Sequence, residues 1–190
     1  DYGKYEIAEI THKYGYYVWG PSWIMFAEEN DWIDIVLHEV EILNTSQIKD
    51  SLDVKFFWHN YLDCLRGFVI KQNDQIIACA TLKDVGGGFV EIGVDVDTEL
   101  NFSGLGSTVY SAAGRWAFDN GYIPFSSVGP WNVPSARTQI KCGMKFIGTD
   151  MTSIEQFKVP PQTLGTPNDE INIYDYYPKW GFNKKIIKRD

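Results

Sequence analysis

The stretch from Glu91 to Val109 reads EIGVDVDTELNFSGLGSTV, and it decides the fold. Its pattern predicts a strand, a short turn that carries Gly104 and Gly106, and the start of a long helix. Glycine has no Cβ, so the backbone of this turn can approach a ligand closely. The first turn of the helix presents unpaired N–H groups and the positive end of the helix dipole at the same place. Together these features predict a cradle for a pyrophosphate group.

The residues around Gly106 exclude two other kinds of phosphate-binding loop. A Walker loop needs Gly-Lys-Ser/Thr, whereas Gly106 is followed by Ser107 and Thr108. A dinucleotide fingerprint needs a third glycine three residues after the second, and that position holds Val109. For this stretch taken alone, an ordinary strand–helix turn remains an alternative.

A second block follows at residues 124–148, which read PFSSVGPWNVPSARTQIKCGMKFIG. Asn132 suits a helix N-cap, and Pro134 falls in the first helical turn, where a missing N–H costs nothing. The two blocks together resemble the GNAT superfamily of acetyl-CoA-dependent N-acetyltransferases. The first resembles the family's Arg/Gln-x-x-Gly-x-Gly/Ala loop. The second resembles its Asn-x-x-Ser/Ala helix start and its closing Gly-Phe turn, which is Gly143-Met144 in this chain.

This resemblance covers about residues 67–148 and implies an α/β (α+β) fold. The expected architecture is a mixed, largely antiparallel central sheet with one splayed pair of parallel strands, flanked by helices. We expect a single domain over residues 1–190, with residues 1–66 on the acceptor side, 67–148 as the cofactor-binding core and 149–190 as C-terminal strands and loop. Because the first residue is Asp1 and not Met, we expect the sequence to lack an N-terminal piece.

Residue patterns along the chain predict the individual elements. A helical spacing of apolar residues predicts a helix at Ser46–Leu65, with Thr45 or Ser46 as its cap, and Asn73-Asp74 predicts a type I′ hairpin turn. The stretch Asn30–Leu43 stays ambiguous between helix and strand. The other predicted helices are Leu105–Asn120 and Val133–Lys141. The predicted strands are Tyr5–Ile10, Tyr16–Trp19, Trp23–Phe26, Gly67–Gln72, Gln75–Lys83, Phe89–Val96, Tyr122–Val128, Met144–Ile154 and Glu170–Tyr174.

The family resemblance implies acetyl-CoA as the cosubstrate and locates its site. The pantetheine arm is expected between the parallel strands Phe89–Val96 and Tyr122–Val128, where its amides pair with the first strand as an added strand would. The pyrophosphate is expected on the main-chain N–H groups of the glycine turn. The implied cofactor-binding residues are Ile92, Gly93, Val94, Asn101, Phe102, Ser103, Gly104, Leu105, Gly106, Ser107, Asn132 and Ser135.

The chain departs from the family pattern at two positions. Asn101 stands where the loop usually carries Arg or Gln, so a possible charge contact is lost while the backbone cradle remains. Gln139 stands where the family commonly has a tyrosine that acts as general acid, and an amide cannot supply a transferable proton.

Acetyl transfer to an amine needs a base, because an alkylamine is mostly protonated at neutral pH. Glu91 begins the cofactor strand, where several family members carry a basic glutamate, so Glu91 is the predicted catalytic base. Asp95 shares its face in a regular strand and is the second candidate. The thiolate proton donor stays open among Tyr110, Tyr174, Tyr176 and Tyr177, and Asp175 is the candidate contact for the acceptor ammonium.

Composition limits the partners. The net charge of −8 argues against nucleic acid, and no apolar run is long enough to cross a bilayer. The three cysteines and three histidines are widely spaced, which predicts reduced cytoplasmic thiols and no metal site. We therefore expect a cytoplasmic monomer or homodimer that acts on a small-molecule or peptide amine.

Two alternatives remain at this point. Asn101 and Gln139 favour a degenerate GNAT fold that binds CoA or a protein partner without catalysis. An aromatic-rich module for carbohydrate or protein binding would leave the match over Glu91–Gly148 a coincidence.

Overall fold

The computed structural model describes residues 2–97, 100 and 103–154. The chain divides into two compact units, Asp1–Ser22 with Asp150–Asp190, and Trp23–Thr149. In chain order the described elements are α1 (Tyr2–Lys13), β1 (Tyr17–Phe26), a 3-10 turn (Glu29–Asp31), β2 (Glu41–Leu43), α2 (Thr45–Ser51), β3 (Arg66–Gln72), β4 (Gln75–Gly86), β5 (Phe89–Val96), α3 (Leu105–Asp119), β6 (Ile123–Val128), α4 (Val133–Lys141) and β7 (Lys145–Ile154).

The seven strands of the described residues form one sheet in the order β2-β3-β4-β5-β6-β1-β7. The pairs β2–β3, β3–β4, β4–β5 and β6–β1 are antiparallel, whereas β5 and β6 are parallel and are connected through α3. The predicted mixed, largely antiparallel sheet with one parallel pair is therefore confirmed.

The hairpin between β3 and β4 shows how closely local sequence sets the backbone. Asn73 and Asp74 have φ values of 49° and 61°, so both central residues are left-handed. A type I′ turn requires this conformation, and Asn and Asp tolerate it better than other residues with a side chain. The predicted hairpin is confirmed, with Gln72 paired to Gln75.

Within the second unit, the two faces of the sheet carry different partners. Val90 and Ile92 of β5 pack into the larger core with Val109 and Tyr110 of α3. The opposite face carries a smaller core, in which side chains of the sheet pack against α2 and the segment after it: Leu43, Val69, Cys79, Ile48, Leu52, Phe57 and Cys64. Side chains of β5 at even positions therefore face α3, and those at odd positions face the other side.

Several predicted elements differ from the structure. The predicted strands Tyr16–Trp19 and Trp23–Phe26 form one continuous strand, β1. Tyr5–Ile10 is part of the helix α1 and not a strand; Glu9 and Lys13 form an i,i+4 ion pair at 3.6 Å, and His12 and Lys13 suit the negative end of the helix dipole. The expected helix Ser46–Leu65 ends at Ser51, and farther along the chain the N–H groups of His59 and Tyr61 donate to side chains of the sheet.

The cap of α2 also differs from the prediction. Asn44, not Thr45 or Ser46, accepts a hydrogen bond from the Gln47 N–H, and the Gln47 side chain accepts one from the Asn44 N–H. This reciprocal pair is a capping box, which satisfies two N–H groups at the helix start.

Candidate active site

The parallel strands β5 and β6 pair over only part of their length. Their paired residues are Phe89 with Ile123, Val90 with Pro124, and Glu91 with Phe125. On its other edge β5 stays paired with β4 as far as Val96. Within the described residues, the β5–β6 ladder thus ends at Glu91, and a gap opens between the strands beyond it.

The main chain of β5 offers hydrogen-bonding groups to this gap. The Ile92 carbonyl accepts a hydrogen bond from Ser126 Oγ of β6 at 3.2 Å, whereas the Asp97 N–H donates to Ile77 of β4 at 2.8 Å. Because successive residues of a strand alternate in direction, the N–H and C=O groups of Val94 face the gap together with the Ile92 carbonyl.

Gly93 lies between Ile92 and Val94. A glycine is required here for a steric reason. Its main chain faces β4, where it pairs with Thr81. A Cβ at Gly93 would collide with the carbonyl oxygen of His59, which crosses the strand at this point. The absent side chain therefore allows the segment before β3 to lie directly on β5.

The glycine turn leads into α3 as predicted. Gly104 is the N-cap of the helix and has φ of 83° and ψ of 0°, a left-handed conformation that favours glycine. Its carbonyl accepts the N–H of Thr108 at 2.9 Å, and no described side chain caps the helix. The N–H groups of Leu105, Gly106 and Ser107 precede the first intrahelical donor, so they are available to an anion.

Residues from a distant segment lie beside this turn. The Leu37 side chain occupies the direction in which a Cβ of Gly104 would point. His38 Nε2 lies 2.8 Å from the carbonyl oxygen of Ser103, and the His38 side chain can donate this hydrogen bond. Asn101 and Phe102, which were predicted to bind the cofactor, lie outside the described residues.

The helix α4 borders the same region. Asn132 Oδ1 accepts the Ser135 N–H at 3.3 Å, so this side chain caps α4. Gln139 Nε2 donates to Ser135 Oγ at 3.2 Å. The two helices contact each other where Cys142 Sγ lies 3.8 Å from the Ser107 carbonyl.

Two buried polar atoms on these helices lack a partner among the described residues, Thr108 Oγ1 of α3 and Gln139 Oε1 of α4. A buried polar atom without a hydrogen bond is costly, and a bound ligand is one way to satisfy it. The gap and the helix N-terminus, which no described side chain caps, are together suited to an elongated ligand with amide groups and a pyrophosphate.

The opposite face of β5 carries the predicted base. Glu91 Oε2 accepts a hydrogen bond from Tyr61 OH at 2.8 Å. Burial, and then the charge of Glu91, raise the pKa of Tyr61 well above its usual range, so the phenol remains a donor. Lys83 pairs with Glu91 across β4 and β5, and its Nζ lies 4.9 Å from the centroid of the Tyr61 ring.

Asp95, the second candidate base, is occupied by three hydrogen bonds. Its carboxylate accepts the His59 N–H at 2.7 Å and the Asn60 side chain at 3.1 Å, and it lies 2.5 Å from His59 Nδ1. Thr81 Oγ1 accepts the Tyr61 N–H at 2.9 Å. These contacts tie the segment 59–61 to the sheet and bring Tyr61 to Glu91, so Asp95 supports the segment.

Sequence reasoning missed Tyr61 and His59, which were placed inside the expected helix Ser46–Leu65. The run Trp58-His59-Asn60-Tyr61 consists of residues with modest helix propensity. The low helix propensity of this run is the signal in the sequence that the expected helix ends before Trp58.

Of the predicted proton donors, Tyr110 is the one that lies within the described residues, and it packs in the core on the α3 face of the sheet. Tyr110 is fully buried, with its hydroxyl 2.7 Å from Ser126 Oγ, and burial raises its pKa. Asp175 and the three C-terminal candidate tyrosines lie outside the described residues. Within the part of the chain that the structure describes, no helix is long and apolar enough to span a bilayer, and no cluster of His, Cys, Asp and Glu could hold a metal ion.

Comparison with known proteins agrees with this geometry. The sequence pattern of the Acetyltransferase (GNAT) family matches residues 32–144. The chain belongs to the GNAT family. GNAT enzymes transfer an acyl group from an acyl-CoA to an amine acceptor. The match contains the glycine turn, the gap between β5 and β6, and both helices that border it.

Solved structures of GNAT proteins share the fold at low sequence identity. A GNAT-family protein from Novosphingobium aromaticivorans is 11% identical, with a TM-score of 0.56 over 73% of this chain and 63% of its own. A GCN5-related N-acetyltransferase-like protein from Streptococcus suis is 16% identical, with a TM-score of 0.55 over 76% and 65%. A GCN5-related N-acetyltransferase from Kribbella flavida is 14% identical, with a TM-score of 0.59 over 77% and 62%.

The chain thus spans less than two thirds of the length of these structures. No curated protein sequence matches it.

Proposed function

We propose that this GNAT chain transfers an acetyl group from acetyl-CoA to the primary amine of a small molecule or a peptide. The observation that carries the proposal is the gap between β5 and β6, which opens next to the uncapped N-terminus of α3. A pantetheine arm and a pyrophosphate need these two features side by side.

The main chain would hold most of the cofactor. The pantetheine amides pair with the Ile92 carbonyl and with the N–H and C=O of Val94, as in strand addition. The pyrophosphate rests on the N–H groups of residues 105–107, and the proposed contacts of Asn101, Phe102 and Ser103 extend this loop.

The proposed chemistry uses Glu91 on the opposite face of β5. Glu91 removes a proton from the incoming ammonium, directly or through water, and the neutral amine attacks the thioester carbonyl. The C–N bond forms, the C–S bond breaks, and the leaving thiolate takes up the proton that the attacking nitrogen loses as it becomes an amide. Tyr61 fixes the direction of the Glu91 carboxylate through its hydrogen bond.

The test is release of CoA thiol in the presence of acetyl-CoA and a set of primary amines, with mass spectrometry of the products. We expect thiol release that depends on an amine, and a product heavier than that amine by one acetyl group. Glu91→Gln serves as the control for catalysis at this site. Thiol release that is independent of every amine would contradict the proposal.

A second candidate function is CoA binding without catalysis, which Gln139 favours. Its side chain is buried and bonded to Ser135, so it cannot replace a tyrosine as proton donor. Tight CoA binding without transfer to any amine would favour this candidate. The cytoplasmic location and the monomeric or homodimeric state belong to the proposal for either function.

A further inference from the structure

A groove lies on the same face of the sheet as Glu91. Its volume is about 360 Å³, and it is lined by Ile24, Phe26, Val85, Phe89, Phe125 and Ile147. This volume is within the range of small-molecule sites. All of these side chains are apolar, and several are accessible: Phe89 is 39% exposed and Ile147 is 62% exposed.

The strand register connects this groove to the predicted base. Phe125 pairs with Glu91 of β5 and with Phe26 of β1, so the three side chains lie on one face in neighbouring rows. The spacing between strands puts the Cα atoms of Glu91 and Phe125 about 5 Å apart. Phe89 is two positions from Glu91 on the same strand, at a distance of about 7 Å.

The residues on the two sides of Glu91 favour approach of a cationic acceptor from the groove. Lys83 lies on the β4 side of Glu91, close to the Tyr61 ring, whereas Phe125 lies on the β6 side. A cationic amine therefore meets a like charge from one side and an apolar surface from the other. An acceptor that enters over the groove reaches the carboxylate without passing Lys83.

We infer that the acceptor is a primary amine with an apolar group of aromatic size, which lies in this groove while the amine reaches Glu91. The inference rests on the proposed function and adds the substrate class. Small polar amines and polyamines would leave the apolar side chains of the groove in water and gain nothing from them.

The test compares kcat/KM for phenethylamine, ethylamine and putrescine with acetyl-CoA. We expect phenethylamine to be preferred over both by at least about tenfold, since burial of a phenyl ring is worth more than the free energy of one decade. Phe89→Ala should reduce kcat/KM for phenethylamine by about tenfold and change the value for ethylamine little.

A matched control lies on the same sheet. Phe146 is 55% exposed, between Phe89 and Ile147 of the groove, but it packs against Trp23 and does not line the groove. Phe146→Ala should leave the preference among the amines unchanged. Equal kcat/KM for phenethylamine and ethylamine, or an equal loss for both in Phe89→Ala, would overturn the inference.

Binding separates a failure of this inference from a failure of the proposed function. Para-fluorophenethylamine, followed by fluorine NMR, should show line broadening with the unmodified protein and with Phe146→Ala, and less broadening with Phe89→Ala. That pattern without turnover would support amine binding in the groove and would contradict the proposed catalytic function. Absence of broadening, or equal broadening in Phe89→Ala, would contradict acceptor binding in the groove, even if another amine is acetylated.

Discussion

Glu91 has a different neighbour on each side of β5. Tyr61 donates to its carboxylate from the segment before β3, and Phe125 lies next to it on β6. The hydrogen bond holds the carboxylate in one direction, and Phe125 is its neighbour on the side from which we propose that the acceptor enters. If Glu91 is the base, as we propose, a carboxylate that is fixed in this way loses little entropy when the amine arrives.

Glu91→Gln is expected to lower kcat by about a hundred- to ten-thousandfold at neutral pH, the range for loss of a general base. Acetyl-CoA affinity should change little, because in the proposed site the strand backbone holds the cofactor. The deficit should shrink as pH rises toward the pKa of the amine, since more substrate then arrives deprotonated. Steady-state kinetics across pH measure this effect. A loss that is the same at every pH would assign Glu91 a positioning role.

Some residues of the candidate site could be predicted from sequence motifs, because their conformations depend on neighbouring residues in the sequence. Gly104 is marked by a strand–turn–helix pattern, and Asn132 by its place before a proline in a helix start. Tyr61, His59 and His38 could not be predicted in this way. Each reaches the site through contacts to residues that are distant in sequence, and a single sequence carries no signal for such contacts.

At the scale of elements, α3 has a left-handed glycine at each end. Gly104 has φ of 83° at the N-cap, and Gly121 has φ of 76° just past the C-terminus. Only Gly104 is crowded, by the Leu37 side chain, whereas nothing lies within 4 Å of a Cβ at Gly121. The two positions therefore separate the cost of the backbone conformation from the effect on the ligand site.

Gly104→Val is expected to abolish cofactor binding, because its side chain displaces Leu37 at the turn that we propose for the pyrophosphate, and because it strains a left-handed residue. Gly121→Val is the matched control, which carries the backbone cost of about 1–2 kcal/mol but keeps the affinity for CoA. Calorimetric titration with CoA measures the affinity, and urea unfolding measures the stability. Unchanged affinity in Gly104→Val would show that the turn is structural only.

The accuracy of the element prediction followed the strength of local signals. The spans Phe89–Val96 and Val133–Lys141 match the predicted bounds, because turn glycines and a cap delimit them. The helix expected at Ser46–Leu65 ends at Ser51, and residues 59–61, which belong to the expected helix, are instead bonded through their main chain to Asp95 and Thr81. Those tertiary bonds overrule helix propensity, which is worth only tenths of a kcal/mol per residue.

For the whole molecule, acetyl-CoA and CoA are both expected to raise the melting temperature. A ligand that binds only the native state stabilises it by about 2.7 kcal/mol at a hundred times its Kd. NAD and ATP should have smaller effects, because they carry a pyrophosphate but no pantetheine arm. Differential scanning fluorimetry at equal ligand concentrations makes the comparison. An unchanged melting temperature with acetyl-CoA would contradict acetyl-CoA binding in the gap between β5 and β6.

Alkaline pH is expected to destabilise the fold through groups that are buried in neutral form. Burial raises the pKa of Cys142 to about 12, and it raises the pKa of Cys79 and Tyr110 further. An acid whose pKa is raised in the native state stabilises fully below its unfolded pKa, and this stabilisation is lost as pH rises. Between about pH 9 and 11, each thiol should cost about 1.4 kcal/mol per pH unit.

Urea unfolding at pH 8 to 10.5 in the presence of a reducing agent measures this dependence. Cys79→Ala should be less stable at pH 8 but should have a shallower slope, because one ionising group is removed. A slope that is identical in the variant and the unmodified protein would show that Cys79 does not contribute.

The position of β1 in the sheet has a consequence for how the chain is made. β1 pairs with β6, and the partners Trp23 and Val128 are about a hundred residues apart in sequence. During synthesis, Trp23–Phe26 leaves the ribosome long before Ile123–Val128 exists, so it has no edge to pair with. Unpaired strands of this kind are sites of aggregation. The nascent chain is therefore prone to aggregation in the interval between the synthesis of β1 and the synthesis of β6.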